Sequence, residues 1–126
     1  MRLLLDTHIL LWCLADDAAL SLPARTLIAD PAHQVFISPI SLWEIAIKAQ
    51  LGKIVADVHE IHTAALTTGF LPLPFTLEHA LAVAHLPFHH RDPFDRALVA
   101  QAHAEPLRLL THDHALVAYG APVLLI

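Results

Sequence analysis

The sequence predicts an α/β protein: a parallel sheet covered by helices on both faces. Short apolar runs of strand length alternate along the chain with longer segments of helical periodicity, the pattern left by repeated strand–helix crossovers. No repeat, low-complexity tract or linker interrupts that alternation. A chain of 126 residues is the size of one domain with a real core, so residues 1–126 are expected to form a single unit.

The elements follow in order. Arg2–Leu5 reads as a buried strand, and His8–Leu14 as the helix after it. Ala18–Asp30 is the second helix, with Pro23 near its start, and Gln34–Ser38 the second strand. Ser41–Leu51 is a helix closed by Gly52, a residue suited to a left-handed C-cap, and Asp57–Thr68 is another, closed by Gly69. The stretch FLPLPF is extended, because its prolines block a helix. Leu77–His85 is a short helix and Pro93–Ala104 a longer one, with Arg108–Thr111 and Val123–Ile126 as the closing strands.

Composition narrows the class. The apolar fraction, 56%, exceeds the usual ~45–50%, and only 15% of residues are charged. Some apolar surface is therefore expected to be covered by a protein partner or a second copy of the chain. A net charge of -5 opposes broad phosphate binding through Lys and Arg, so a nucleic-acid partner needs a local source of positive charge. The single Cys13 excludes an internal disulfide and fits a reducing compartment. In MRLLLDTHILLWCLA, Asp6 and His8 interrupt the apolar core that a signal peptide requires. The longest uncharged stretch, Ile61–Leu77, holds a histidine, a glycine and two prolines, and no run approaches the ~20 apolar residues of a membrane span. A soluble, intracellular protein is expected.

Four acids stand where such a sheet binds ligands, beyond the carboxyl ends of its strands. RLLLD delivers Asp6 directly, and LRLLTHD delivers Asp113 two residues past its strand. VFISPISLWE delivers Glu44 on the first turn of the next helix, and Asp95 opens the helix that leads into the Asp113 strand. Most of them also have a purely structural role open to them. Ser41 and Glu44 fit a capping box, and Asp95 is the acid of a similar one headed by Asp92 and Pro93. Asp113 suits the start of a short final helix. Asp6 is the exception, since a carboxylate attached to buried leucines loses hydration unless something cationic compensates.

Taken together, four acids at one edge repel one another, and no matching cluster of Lys and Arg is present. A divalent cation resolves the repulsion. Oxygen-only ligation favours Mg²⁺ or Mn²⁺ over zinc, and such sites suit phosphoryl chemistry. Arg91, Arg96 and Lys48 lie close to the acids in sequence and are candidates for phosphate contact, or solvated counter-charges.

The blocks LLLDTHILLW, SLWEIAIKAQLGK, HRDPFDRALVAQA and LLTHD resemble, in order, those of PIN-domain ribonucleases, and more closely the VapC-type toxins of bacterial type II toxin–antitoxin modules. The likeness runs from Arg2 to about Gly120. It implies a three-layer α/β/α sandwich around a parallel sheet of four to five strands, and Mg²⁺- or Mn²⁺-dependent endonucleolytic cleavage of RNA. The family's four acids fall on Asp6, Glu44, Asp95 and Asp113. Thr7 and Thr111 match hydroxyl positions that orient the carboxylates, and Asp92 is read mainly as a helix cap. The resemblance also implies a cognate antitoxin, a toxin homodimer and a bacterial cytoplasmic location, with no membrane association.

Other readings are weaker. HHRD and HDH, in a chain with 11 histidines, suggest zinc or an HD-type phosphohydrolase, but that chemistry wants His-Asp on a helix, and His112–Asp113 follows a strand. A phospho-acceptor domain needs a lysine after its last strand, and the only lysines are Lys48 and Lys53. Another small metal-dependent phosphohydrolase remains open. So does an inactive PIN module serving only to bind a partner, although such modules usually lack an acid and none is missing here.

Overall fold

A computed structural model describes residues 1–126. The strands are β1 (Arg2–Leu5), β2 (Gln34–Ile37), β3 (Leu71–Pro72), β4 (Arg108–Thr111) and β5 (Val123–Leu125). The helices are α1 (Thr7–Leu14), α2 (Leu22–Ala29), α3 (Pro39–Gln50), α4 (Val58–Thr68), α5 (Leu77–Val83) and α6 (Pro93–Ala104), with a 3₁₀ helix at His114–Tyr119. All five strands are parallel, in the order β3-β2-β1-β4-β5. The expected sheet, at the upper end of four to five strands, is therefore present.

The alternation of side chains along β1 explains the three layers. Leu3 and Leu5 enter a core with Ile9 and Leu10 of α1, Ala24 of α2, Ile45 of α3 and Ala65 of α4. Leu4 enters a separate core with Ala97, Leu98, Val99 and Ala102 of α6, and with Leu116 of the 3₁₀ helix. Successive strand residues face opposite ways, so a run of three buried leucines needs a helical layer on each side. Gly69 closes α4 at φ 99°, where its N–H returns to the Leu66 carbonyl and that of Phe70 to Ala65.

Two helix starts move for local reasons. The second helix begins at Leu22 rather than Ala18, because Ser21 accepts from the Ala24 N–H and Pro23 fits only a first turn. The third begins at Pro39, not Ser41. Ser38 is the true cap, accepting from the Ile40 N–H at 3.0 Å, and Pro39 takes the first position. The capping box expected of Ser41 and Glu44 therefore does not form, and Glu44 sits on the second turn of α3, buried. The box expected at Asp92 and Asp95 forms by half. Asp92 accepts from the Phe94 and Asp95 N–H groups, but its own N–H donates to His90 Nδ1. The Asp95 carboxylate is thus released from helix capping.

Candidate active site

Parallel strands put their carboxyl ends on one edge, and that edge is where the acids meet. β1 and β4 are neighbours, with Leu5 opposite Leu110, so Asp6 and Asp113 emerge side by side. The start of α6 brings Asp95 to the same place. Asp6, Asp95 and Asp113 line one cavity of about 270 Å³, together with His8, Trp12 and His112, and no lysine or arginine lines it.

Hydroxyls and backbone groups aim these carboxylates. Asp6 is 4% exposed; one of its oxygens caps α1 by accepting from the Ile9 N–H at 2.8 Å, and the other accepts from the Thr111 hydroxyl at 2.5 Å. The Thr111 oxygen in turn accepts from the Asp113 N–H at 3.0 Å, so one hydroxyl ties two acids together. Asp113 caps the 3₁₀ helix through the Ala115 N–H. Glu44 stands just behind the cavity. The Thr7 hydroxyl donates to its Oε1 at 2.6 Å, the Ser41 hydroxyl lies 3.2 Å from the same Thr7 oxygen, and Lys48 binds Oε2.

The electrostatics are those of an uncompensated acid cluster. Burial raises the Asp95 carboxyl to about 7, and the charges of Asp92, Asp6 and Glu44 push it the same way, against a smaller opposing pull from His90. Burial also raises Asp6, against the hydrogen bonds from Thr111 and Ile9. Lys48 is raised chiefly by its hydrogen bond to Glu44, and it feels Asp92 and Asp95 as well.

Among the histidines of HHRD and HDH the sequence singles out no role for His90, and the structure places it against the acids. Its Nδ1 accepts the Asp92 N–H at 3.0 Å, so Nε2 carries the hydrogen. That N–H reaches Asp113 Oδ2 at 3.0 Å, with Asp95 Oδ2 at 3.6 Å. Ligand atoms of His90, Asp95 and Asp113 lie within 4.8 Å of one another, a spacing that suits one cation. In this pose, however, His90 donates rather than ligates, standing where positive charge is wanted. The only sequence signal was its place two residues before a helix cap.

The predicted phosphate contacts divide. Lys48 faces the acids but is paired with Glu44. Arg91 is exposed. Arg96 does not join the cavity: it is 9% exposed, donating to the carbonyls of Pro87 and Val83 and to the Tyr119 hydroxyl, with its guanidinium over the Phe88 ring.

The all-parallel α/β sheet thus carries an acid-lined pocket at its carboxyl edge, with donors spaced so that they could hold a cation. The PIN-domain family model matches residues 3–121, and the chain belongs to that family, whose members are nucleases. Among solved structures, the chain is similar to VapBC2 from Rickettsia felis bound to a DNA fragment from its promoter, at 16% identity and TM-score 0.69, covering 100% of this chain and 98% of that one. It is also similar to a toxin–antitoxin complex from Klebsiella pneumoniae, at 24% identity and TM-score 0.67, covering 96% and 94%. A third is VapBC-5 from Mycobacterium tuberculosis, at 21% identity and TM-score 0.59, covering 99% and 97%. No curated protein matches the chain significantly. No helix is long and apolar enough to cross a membrane.

Proposed function

We propose that this PIN domain is the toxin of a toxin–antitoxin pair, a Mg²⁺- or Mn²⁺-dependent endoribonuclease. The observation that carries the reading is the cavity wall: three carboxylates from three separate segments line it with no lysine or arginine among them, and burial, joined by neighbouring acid charges, raises Asp95 to about 7. Ligand atoms of Asp95, Asp113 and His90 lie within 4.8 Å of one another and Asp6 lines the same cavity, a carboxylate-rich set that fits a hard dication. Asp6, Asp95 and Asp113 would hold it, with Glu44 behind them. Such an ion supplies charge neutralisation at a phosphate and an acidified water at neutral pH.

The chain's own contribution is positioning. Thr111 fixes the direction of Asp6 and the backbone of Asp113, while Thr7 and Lys48 fix Glu44. In-line attack of water on phosphorus forms the new P–O bond and breaks the bond to the 3′ oxygen, which leaves as a hydroxyl. Incubation of purified protein with RNA and Mn²⁺ or Mg²⁺, beside Asp6→Asn and Asp95→Asn, tests the reading. Cleavage by the parent alone supports it. Metal binding without cleavage would mark an inactive binding module.

The antitoxin reading has its own surface. A groove between α1 and α4 is lined by Leu11, Trp12, Leu14, Ile54, Val55 and Ile61 among others, and Val55 is wholly exposed. An apolar segment of an antitoxin laid there would reach the acid cavity, because Trp12 lines both. Val55→Glu should weaken capture of that partner and leave RNA cleavage intact. A homodimer would cover further exposed residues such as Leu77, Leu81 and Phe88, and a sizing column measures it.

A further inference from the structure

Half of the cavity wall has no place among the carboxylates. His8, Trp12 and His112 form it, facing Asp6, Asp95 and Asp113. His8 and Trp12 lie one turn apart on α1, their rings 6.0 Å apart and inclined at 52°. His112 meets Trp12 at 5.5 Å and 69°. Its ring is fixed from behind, Nδ1 donating to the Ile126 carbonyl at 2.7 Å. Neither contact is a parallel stack. Trp12 is half-buried, and both histidines are exposed.

Charge makes this wall matter. Nucleic-acid binding normally draws on Lys and Arg against phosphates. This chain carries a net charge of -5, Arg96 is turned into a loop, and Lys48 is paired with Glu44. The ion proposed above and the exposed Arg91 can meet phosphate charge, and the aromatic rings beside the acids offer a further, uncharged source of affinity. Stacking of a base on such a ring requires the base to be free of its duplex.

We propose that Trp12, flanked by His8 and His112, is the subsite that stacks one unpaired nucleobase next to the scissile phosphate. The proposal rests on the ribonuclease reading above, and deepens it by assigning the residues that hold a base beside the acids. The alternative occupant of Trp12 is the partner protein in the adjoining groove.

Trp43→Phe leaves Trp12 as the only indole. In this variant, with Ca²⁺ shielding the acids, Trp12 fluorescence is followed against single-stranded decaadenylate, a ribose-phosphate chain of equal length lacking bases, and duplex RNA. Quenching by the single strand alone is expected. In Mn²⁺, Trp12→Leu should raise KM for single-stranded RNA about tenfold, the size of one base–aromatic stack, with kcat within about twofold, and Trp12→Phe should recover most of the loss. Equal quenching by the baseless chain, or an unchanged KM in Trp12→Leu, overturns the proposal. So does a Trp12→Leu variant that loses only partner binding. A parent protein that shows base-dependent quenching yet cleaves nothing refutes the nuclease reading and leaves the stacking subsite standing. Cleavage that ignores Trp12 does the reverse.

Discussion

Asp95 and Arg96 are consecutive at the start of α6, one facing the acid cavity and the other the loop between α5 and α6. Arg96 is buried against two carbonyls, a phenol oxygen and an aromatic face, so its charge meets only complementary groups. At the other end of α6, Glu105 accepts from the nearly inaccessible His79 at 2.7 Å, while His79 Nδ1 accepts the Thr76 N–H. Arg96 and His79 are buried and satisfied, as folding alone requires. Asp95 is largely taken from water beside Asp92, Asp6 and Glu44, and burial first, then those charges, raise its carboxyl to about 7. One helix therefore carries charges arranged for stability beside charges arranged against it, and a bound cation, as proposed above, would relieve the second arrangement.

The largest expected effect tests the second arrangement. Asp95→Asn should lower metal-dependent RNA cleavage by about 10²–10⁴-fold while the far-ultraviolet circular dichroism stays unchanged. Residual activity near that of the parent would remove Asp95 from the site. The first arrangement predicts the opposite division of effects. Arg96→Met strands the Pro87 and Val83 carbonyls, so it should cost about 2–3 kcal/mol in urea denaturation. At a temperature where the variant is folded, KM and its salt dependence should match the parent. A shallower salt dependence would return Arg96 to the role of phosphate contact that its sequence position suggested.

The same acid can be tested for its effect on stability, in EDTA. A carboxyl raised from 3.8 to about 7 binds more protons folded than unfolded between those values. Stability therefore falls as pH rises through that window, with no penalty below it and the full penalty above. Asp95→Asn should raise the melting temperature at pH 8 by a gain on the order of 1–3 kcal/mol, and should have little effect at pH 3.5. Added Mn²⁺ should stabilise the parent at pH 8 and do much less for the variant.

Much of this was legible before any coordinates. β1, β4 and α6 are strongly patterned, and the ends of β4 and α6 fall where periodicity and Pro93 put them. Acids directly following apolar strands are bound to share an edge once the strands are parallel, which is why Asp6 and Asp113 were placed by pattern alone. Glu44 was harder. Ser38-Pro39 and Ser41-x-x-Glu44 are competing start signals for one helix, and local sequence does not rank them; the proline at the first position prevails and pushes Glu44 a turn deeper. The surroundings of His90 and Arg96 were illegible for another reason. Whether a basic or imidazole side chain near an acidic block faces the acids depends on a loop path, and that path is set by long-range contacts to Tyr119.

The smallest effect is the most direct test of the contrast along α6, because it repeats one chemical change in the other setting. Glu105→Gln, like Asp95→Asn, replaces a carboxylate by an amide of equal size. At Glu105 the carboxylate oxygen is the partner of a His79 ring that is 1% exposed, and the amide oxygen is a weaker acceptor in the same place. The variant should therefore lose about 0.5–1 kcal/mol at pH 8, measured by urea denaturation, while Asp95→Asn gains. Opposite signs for one substitution type at the two ends of α6 would show that position, not acidity, decides whether a carboxylate holds the fold or strains it. If both variants gained stability, the His79–Glu105 contact would contribute nothing, and the division of α6 into a supporting end and a functional end would fail.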